Sequence, residues 1–81
     1  MSRVPNIAHC LVLPFESPCT HGTREYPALV FAKRGDVVLF ADEHARQFGV
    51  GTLDKVAGVM NAGHFATLDL AAEEFLSRAT A

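Results

Sequence analysis

Between Tyr26 and Phe48 the chain reads YPALVFAKRGDVVLFADEHARQF, two apolar runs on either side of a Gly-containing turn, leading directly into a helix start. With Arg34-Gly35 as a two-residue loop, Lys33 faces Asp36, Phe31 faces Val38, Val30 faces Leu39 and Leu29 faces Phe40. Glycine at the second loop position supplies the positive φ that tight hairpins need. Arginine is a poorer first loop residue than Asn or Asp, so a longer, bulged turn and a one-residue slip of register stay open. Cross-strand partners share a face and neighbours alternate. Leu29, Phe31, Val38 and Phe40 then form one large apolar face, and Val30, Val37 and Leu39 with Ala28, Ala32 and Ala41 form a flatter one.

An antiparallel sheet exposed on one side alternates apolar with polar. This hairpin does not, so both of its faces must be covered, by its own chain or by another. A chain of 81 residues is one domain, residues 1–81, and buries only about 60–65% of its extended surface, which leaves little mass to cover two faces. With 49% hydrophobic and 20% charged residues it is a folding sequence rather than a disordered one.

The net charge of −2, with seven Lys and Arg in no run longer than Lys33-Arg34, disfavours generic nucleic-acid binding. The first fifteen residues hold a short apolar stretch interrupted by His9 and closed by Pro14, too short for a signal peptide or a membrane span. The expectation is a cytoplasmic protein with Cys10 and Cys19 reduced.

Residues 6–13 (NIAHCLVL) read as a first strand, with Ile7, His9, Leu11 and Leu13 on one face. Residues 14–27, punctuated by Pro14, Pro18, Gly22 and Pro27, read as a long connection. Asp42 is placed to cap a short helix over 43–48, and Thr52 a second over 53–61 with Asp54 in its first turn. Leu68, Ala71, Ala72, Phe75, Leu76 and Ala79 make a helical stripe that predicts a last helix over 68–79, with Glu74 and Arg78 spaced for an ion pair. The expected fold is α+β: a small three-stranded antiparallel sheet with two or three helices packed on one face.

Two thiols and two imidazoles, Cys10, Cys19, His9 and His21, are what tetrahedral zinc accepts. Adjacent strand residues point to opposite faces, however, so His9 and Cys10 do not share an ion easily. Cys10, Cys19 and His21 therefore stand as weak metal candidates, and plain packing is the competing reading. Cys19 with His21 has the ingredients of a thiolate and imidazole pair, but spacing alone does not activate a thiol. His44 and His64, near helix ends, read as surface or satisfied histidines. No motif for a metalloprotease, a serine hydrolase or a phosphate loop is present, and no cofactor is expected.

The segment Ala45 to Asn61 (ARQFGVGTLDKVAGVMN) resembles a helix-turn-helix in its Ala followed four residues later by Gly-Val. It departs from that motif at Lys55 and Gly58, where apolar residues belong, and in the near absence of charge on its second helix. The strand, Gly turn, strand and helix start of Pro27 to Phe48 resemble the Phd/YefM antitoxin family, which has helix where the N-terminal part here reads as strand. No function follows from that likeness.

The doubly apolar hairpin on a short chain predicts a non-enzymatic protein–protein interaction or regulatory module, of the kind that small phage or mobile-element inhibitors represent, with a second copy or a partner closing the spare face. Its contact residues would be Phe31 and Phe40, with the preceding loop Glu16 to Tyr26, in particular Glu16, His21, Arg24 and Tyr26, as a second region. A DNA-binding regulator built on 45–61 and a small zinc module are the alternatives.

Overall fold

The computed structural model describes residues 7–21, 23–43 and 46–79, with His21 described by its backbone alone. A 3-10 turn over Ala8–Cys10 leads into five strands, β1 (Leu11–His21), β2 (Arg24–Arg34), β3 (Val37–Asp42), β4 (Gln47–Asp54) and β5 (Gly58–Phe65), and one helix, α1 (Leu68–Ala79). Each strand pairs antiparallel with the one before it. β1 and β5 meet in parallel at Cys19 and Val59, which closes the sheet into a barrel.

This replaces the expected three-stranded sheet with two or three helices. The predicted strand 6–13 is a 3-10 turn followed by the start of β1, Asn6 lying outside the described residues. The predicted connection 14–27 is most of β1 and the first part of β2. The predicted helices 43–48 and 53–61 are the β4–β5 hairpin, residues 44 and 45 lying outside the described residues. Without helices over 46–61, a helix-turn-helix has no elements to stand on.

The hairpin at the centre of the sequence forms, with its turn moved by one residue and the pairing beside it by two, Lys33 facing Val38 instead of Asp36. The turn is Gly35-Asp36, Gly35 taking φ 60°, and Arg34 pairs with Val37. A bulge at Phe31 then shifts the ladder, so that Ala32 pairs with Leu39 but Val30 pairs with Phe40. The alternation of β3 survives: Val38 and Phe40 point into the barrel, Leu39 away from it. The faces of β2 exchange, because the inserted residue turns Ala28 and Val30 inward and Ala32 outward.

Two cores result. Cys19, Ala28, Val30, Val38, Phe40 and Val59 fill the barrel lumen. On the outside, Ala71, Ala72 and Phe75 of α1 cover Leu39, Val50, Ala32 and Cys10. Both faces of β3 are therefore covered within the chain. An uncovered sheet face gives no reason for a partner, and any interaction uses the outer surface.

α1 is the stripe that the sequence displays. The Thr67 carbonyl accepts from the Ala71 amide at 3.2 Å, and Asp69 in the first turn bonds the Thr67 side chain. At the other end Arg78 bonds Glu74 (Nε to Oε2, 2.5 Å) and reaches across to the carbonyls of Val50 and Asn61. The helix is thereby tied to β4 and β5 by polar contacts as well as by Phe75.

Candidate functional site

In β1 and β2 the residues that pair across the ladder as Glu16 with Leu29, Pro18 with Pro27 and Thr20 with Glu25 face outward, and Cys19 and Ala28 face the lumen. Two prolines opposite each other remove ladder donors, a loss tolerated where a strand is paired weakly on its other side. β1 is such a strand, joined to β5 at a single bridge. The outward residues border two adjoining depressions. One, of about 370 Å³, is lined by Glu16, Ser17, Pro18, Glu25, Tyr26 and Pro27. The other, of about 410 Å³, is lined by Glu16, Pro27, Leu29, Ala41 and Glu43. Sharing Glu16 and Pro27, they make one groove across β1, β2 and the end of β3, with carboxylates from three strands or their ends, an apolar floor and no Lys or Arg among the described residues of the lining.

Behind this groove a polar cluster closes the end of the lumen. Phe40, Gly49 and His64 stand side by side on β3, β4 and β5. With no side chain on Gly49, the Phe40 and His64 rings meet across it, centroids 6.0 Å apart and nearly perpendicular at 85°. His64 Nε2 is hydrogen-bonded to the Tyr26 hydroxyl and lies 3.7 Å from Asp42 Oδ2. The Tyr26 hydroxyl also bonds Cys19.

Burial pushes the Tyr26 phenol well above its ordinary value, helped by the Cys19 bond and by the charges of Cys19 and Asp42, with Arg24 opposing. Burial likewise pushes the Cys19 thiol up, the Tyr26 bond working against it. Cys19 is fully enclosed, so it is neither accessible nor activated as a nucleophile.

The structure brings Glu16 and Tyr26 together at the groove. Arg24 is exposed at the start of β2, close enough for its charge to act on Tyr26. His21 faces Arg24 across the ladder, and its side chain lies outside the described residues. Phe40 is wholly buried in the lumen and has no surface to offer. Phe31, at the bulge, packs edge-on against Phe48 (centroids 6.4 Å apart) beside the helix-side core. Cys10 lies in the helix-side core and Cys19 in the lumen, on opposite faces of the sheet. His9 is exposed on the 3-10 turn. Among the described residues no three His, Cys, Asp or Glu side chains gather into a metal site.

Sequence reasoning missed Pro18, Glu25, Pro27, Leu29, Ala41 and Glu43 as groove residues, and the Tyr26, His64 and Asp42 cluster. A signal for β1 is present in the alternation of Glu16, Pro18 and Thr20 with the small residues Ser17 and Cys19. The prolines hid it, since they read as loop punctuation. Nothing local links Tyr26 to His64, which meet only because the barrel closes.

Exposed apolar side chains include Leu13 of β1 and Val56 of the β4–β5 turn, 90% and 95% accessible. Among the described residues no helix is long and apolar enough to cross a membrane. No family model matches this chain, and neither the curated proteins nor the solved structures contain a match to it.

Proposed function

We propose that this protein is a non-enzymatic binding module whose docking surface is the outer groove of β1, β2 and β3, and that it takes a cationic segment with apolar side chains from a partner protein. The observation that carries this reading is the lining of the two adjoining depressions, where Glu16, Glu25 and Glu43 surround Pro18, Pro27, Leu29 and Ala41 with no basic residue among the described ones. Lysine and arginine lay their methylene stems on apolar surface while their heads reach carboxylates, so one such segment satisfies both the rim and the floor. The acidic rim also steers a basic partner toward the groove.

The same chemistry argues against other occupants. A phosphate backbone meets like charge here, and a second copy presenting the same groove does too. Chemistry on a substrate is not favoured by a thiol enclosed in the lumen and held protonated by burial.

Amide NMR titration of the full chain with a panel of short Lys/Arg-Leu peptides tests the reading. Shifts confined to residues 16–18, 25–29 and 41–43, weakened by salt and lost in the triple variant E16Q/E25Q/E43Q, are expected. Absence of shifts at low salt, or equal binding by the triple variant, overturns it.

A further inference from the structure

Tyr26 belongs to two structures at once. It stands between Glu25 and Pro27 in the groove lining, while its side chain shares the lumen face with its cross-strand partner Cys19 and its hydroxyl is bonded to His64. We infer that protonation of His64 is a switch that detaches the Tyr26 hydroxyl and thereby changes the groove; the effect on the groove rests on the binding reading above.

Nε2 of a neutral histidine protonated on Nδ1 offers a single lone pair. Neutral His64 accepts the Tyr26 O–H there, which places the imidazole proton on Nδ1. Cys19, bonded to the same hydroxyl, keeps its own proton in the dry lumen and supplies an S–H rather than a competing thiolate. When His64 takes up a proton, Nε2 becomes a donor and Tyr26 can no longer donate to it. Two acceptors then stand near the new N–H: the neutral Tyr26 oxygen and the Asp42 carboxylate, 3.7 Å away. Both bonds have an ionised donor, but the carboxylate adds the attraction of an opposite charge that the neutral hydroxyl lacks. Asp42 and His64 side chains are only 8% and 17% exposed, so solvent screens their attraction little.

Closing 3.7 Å to hydrogen-bonding distance, about 2.7–2.9 Å, draws the imidazole toward Asp42 and away from Tyr26. Tyr26 of β2, Asp42 and Phe40 of β3 and Gly49 of β4 stand beside His64, and Cys19 of β1 is bonded to Tyr26. Arg24 is the cation acting on Tyr26.

The composition makes the switch directly observable, because the chain has one tyrosine and no tryptophan. Its intrinsic emission belongs to Tyr26 alone. On the free protein, between pH 5.5 and 8.5, Tyr26 emission should follow a one-proton transition that is absent in His64→Gln. In the unaltered protein, which needs no variant to fold, imidazole ¹⁵N shifts at the alkaline end should show the proton on Nδ1. A flat emission profile, a profile unchanged by His64→Gln, or a proton on Nε2 overturns the switch.

The coupling is read separately with a Lys/Arg-Leu peptide. Its affinity should be about two- to tenfold lower at pH 5.5 than at pH 8, the range that one net hydrogen bond supplies, and the difference should vanish in Tyr26→Phe. Affinity independent of pH in the unaltered protein overturns the coupling. A peptide that does not bind at either pH removes the binding reading and with it the coupling, while emission and ¹⁵N shifts still decide the switch.

Discussion

The Phe40 ring occupies the place in the barrel lumen where a side chain on its cross-strand partner Gly49 would stand. A Cβ there would collide with three ring atoms, and the ring is fully enclosed. Replacing Gly49 by Ala should therefore lower unfolding free energy by about 1–3 kcal/mol, the usual range for overpacking. The pair Gly49→Ala with Phe40→Leu should cost less than the sum of the single changes, because the smaller side chain returns the space. Urea unfolding of the four proteins measures the coupling, and strict additivity would contradict this packing.

Arg78 holds α1 to the barrel through the carbonyls of Val50 and Asn61, and within the helix it pairs with Glu74. Truncating Arg78→Ala should cost about 1–2 kcal/mol, since it removes side-chain to backbone bonds and stem packing together. Glu74→Gln, which removes only a partly exposed i,i+4 pair, should cost no more than about 0.5 kcal/mol. Thermal unfolding that ranks the two variants equally would place the helix anchor elsewhere.

The Asx turn at the tip of the β4–β5 hairpin rests on Asp54, whose Oδ1 accepts from the amides of Val56 and Ala57 at 2.7 and 3.1 Å. Those bonds hold the carboxyl below its ordinary value. A depressed native value means that the stabilisation is present above the unfolded value of 3.8 and fades as pH falls through the native one. Asp54→Ala should lower the melting temperature at pH 7, Asp54→Asn less so because its carbonyl still accepts. The deficit of Asp54→Ala should shrink in acid, as scanning calorimetry at several pH values can follow.

At the alkaline end the sign reverses. Cys19 and Tyr26 are both raised above their ordinary values of 9.0 and 10.0. The native state therefore holds its protons more tightly than the unfolded chain, and stability is complete below pH 9 and lost as pH rises beyond it. Cys19→Ala should flatten the early part of that loss, at the expense of a small lumen cavity. Denaturant midpoints at pH 8, 9.5 and 10.5 provide the comparison, and equal slopes for the two proteins would show that Cys19 is not the group concerned.

Gly58 closes the seam of the barrel. It sits at φ 85°, and a side chain there would meet the Pro18 carbonyl. The substitution Gly58→Ala should cost roughly 1–3 kcal/mol, from the strained backbone alone. Amide exchange should speed up along β1 and β5 more than in α1, whose buried contacts are with β3 and β4 chiefly. Uniform acceleration across the molecule would mean that the seam does not open by itself.

Several of these features were legible in the residues and several were not. The helix over 68–79 was, because a six-residue apolar stripe at helical spacing has one geometric meaning. β3 was, because its apolar residues alternate toward two covered faces. The β4–β5 hairpin was hidden by its own chemistry: Asp54 and Thr52 ahead of an apolar run look like a helix start. A carboxylate that satisfies free amides does so equally at a helix N-terminus and in an Asx turn. The glycines at 49, 51 and 58 made the stretch look poor in strand propensity, and their reason lies on other strands, in the Phe40 ring, the Val59 methyl and the Pro18 carbonyl.

The groove was half visible. Glu16 and Tyr26 were candidates, but the carboxylates of Glu25 and Glu43 join them only after β2 and β3 are laid beside β1. The sequence carried the demand that a hairpin apolar on both sides be buried twice, and it carried the helix that buries one of them. Local residue preferences could state that demand because each depends on near neighbours. Barrel closure answered the other half: it set Cys19 beside Val59 and Tyr26 against His64, pairs separated by about forty residues. Such contacts are chosen by the packing of the whole lumen, whose volume no segment of the chain specifies alone.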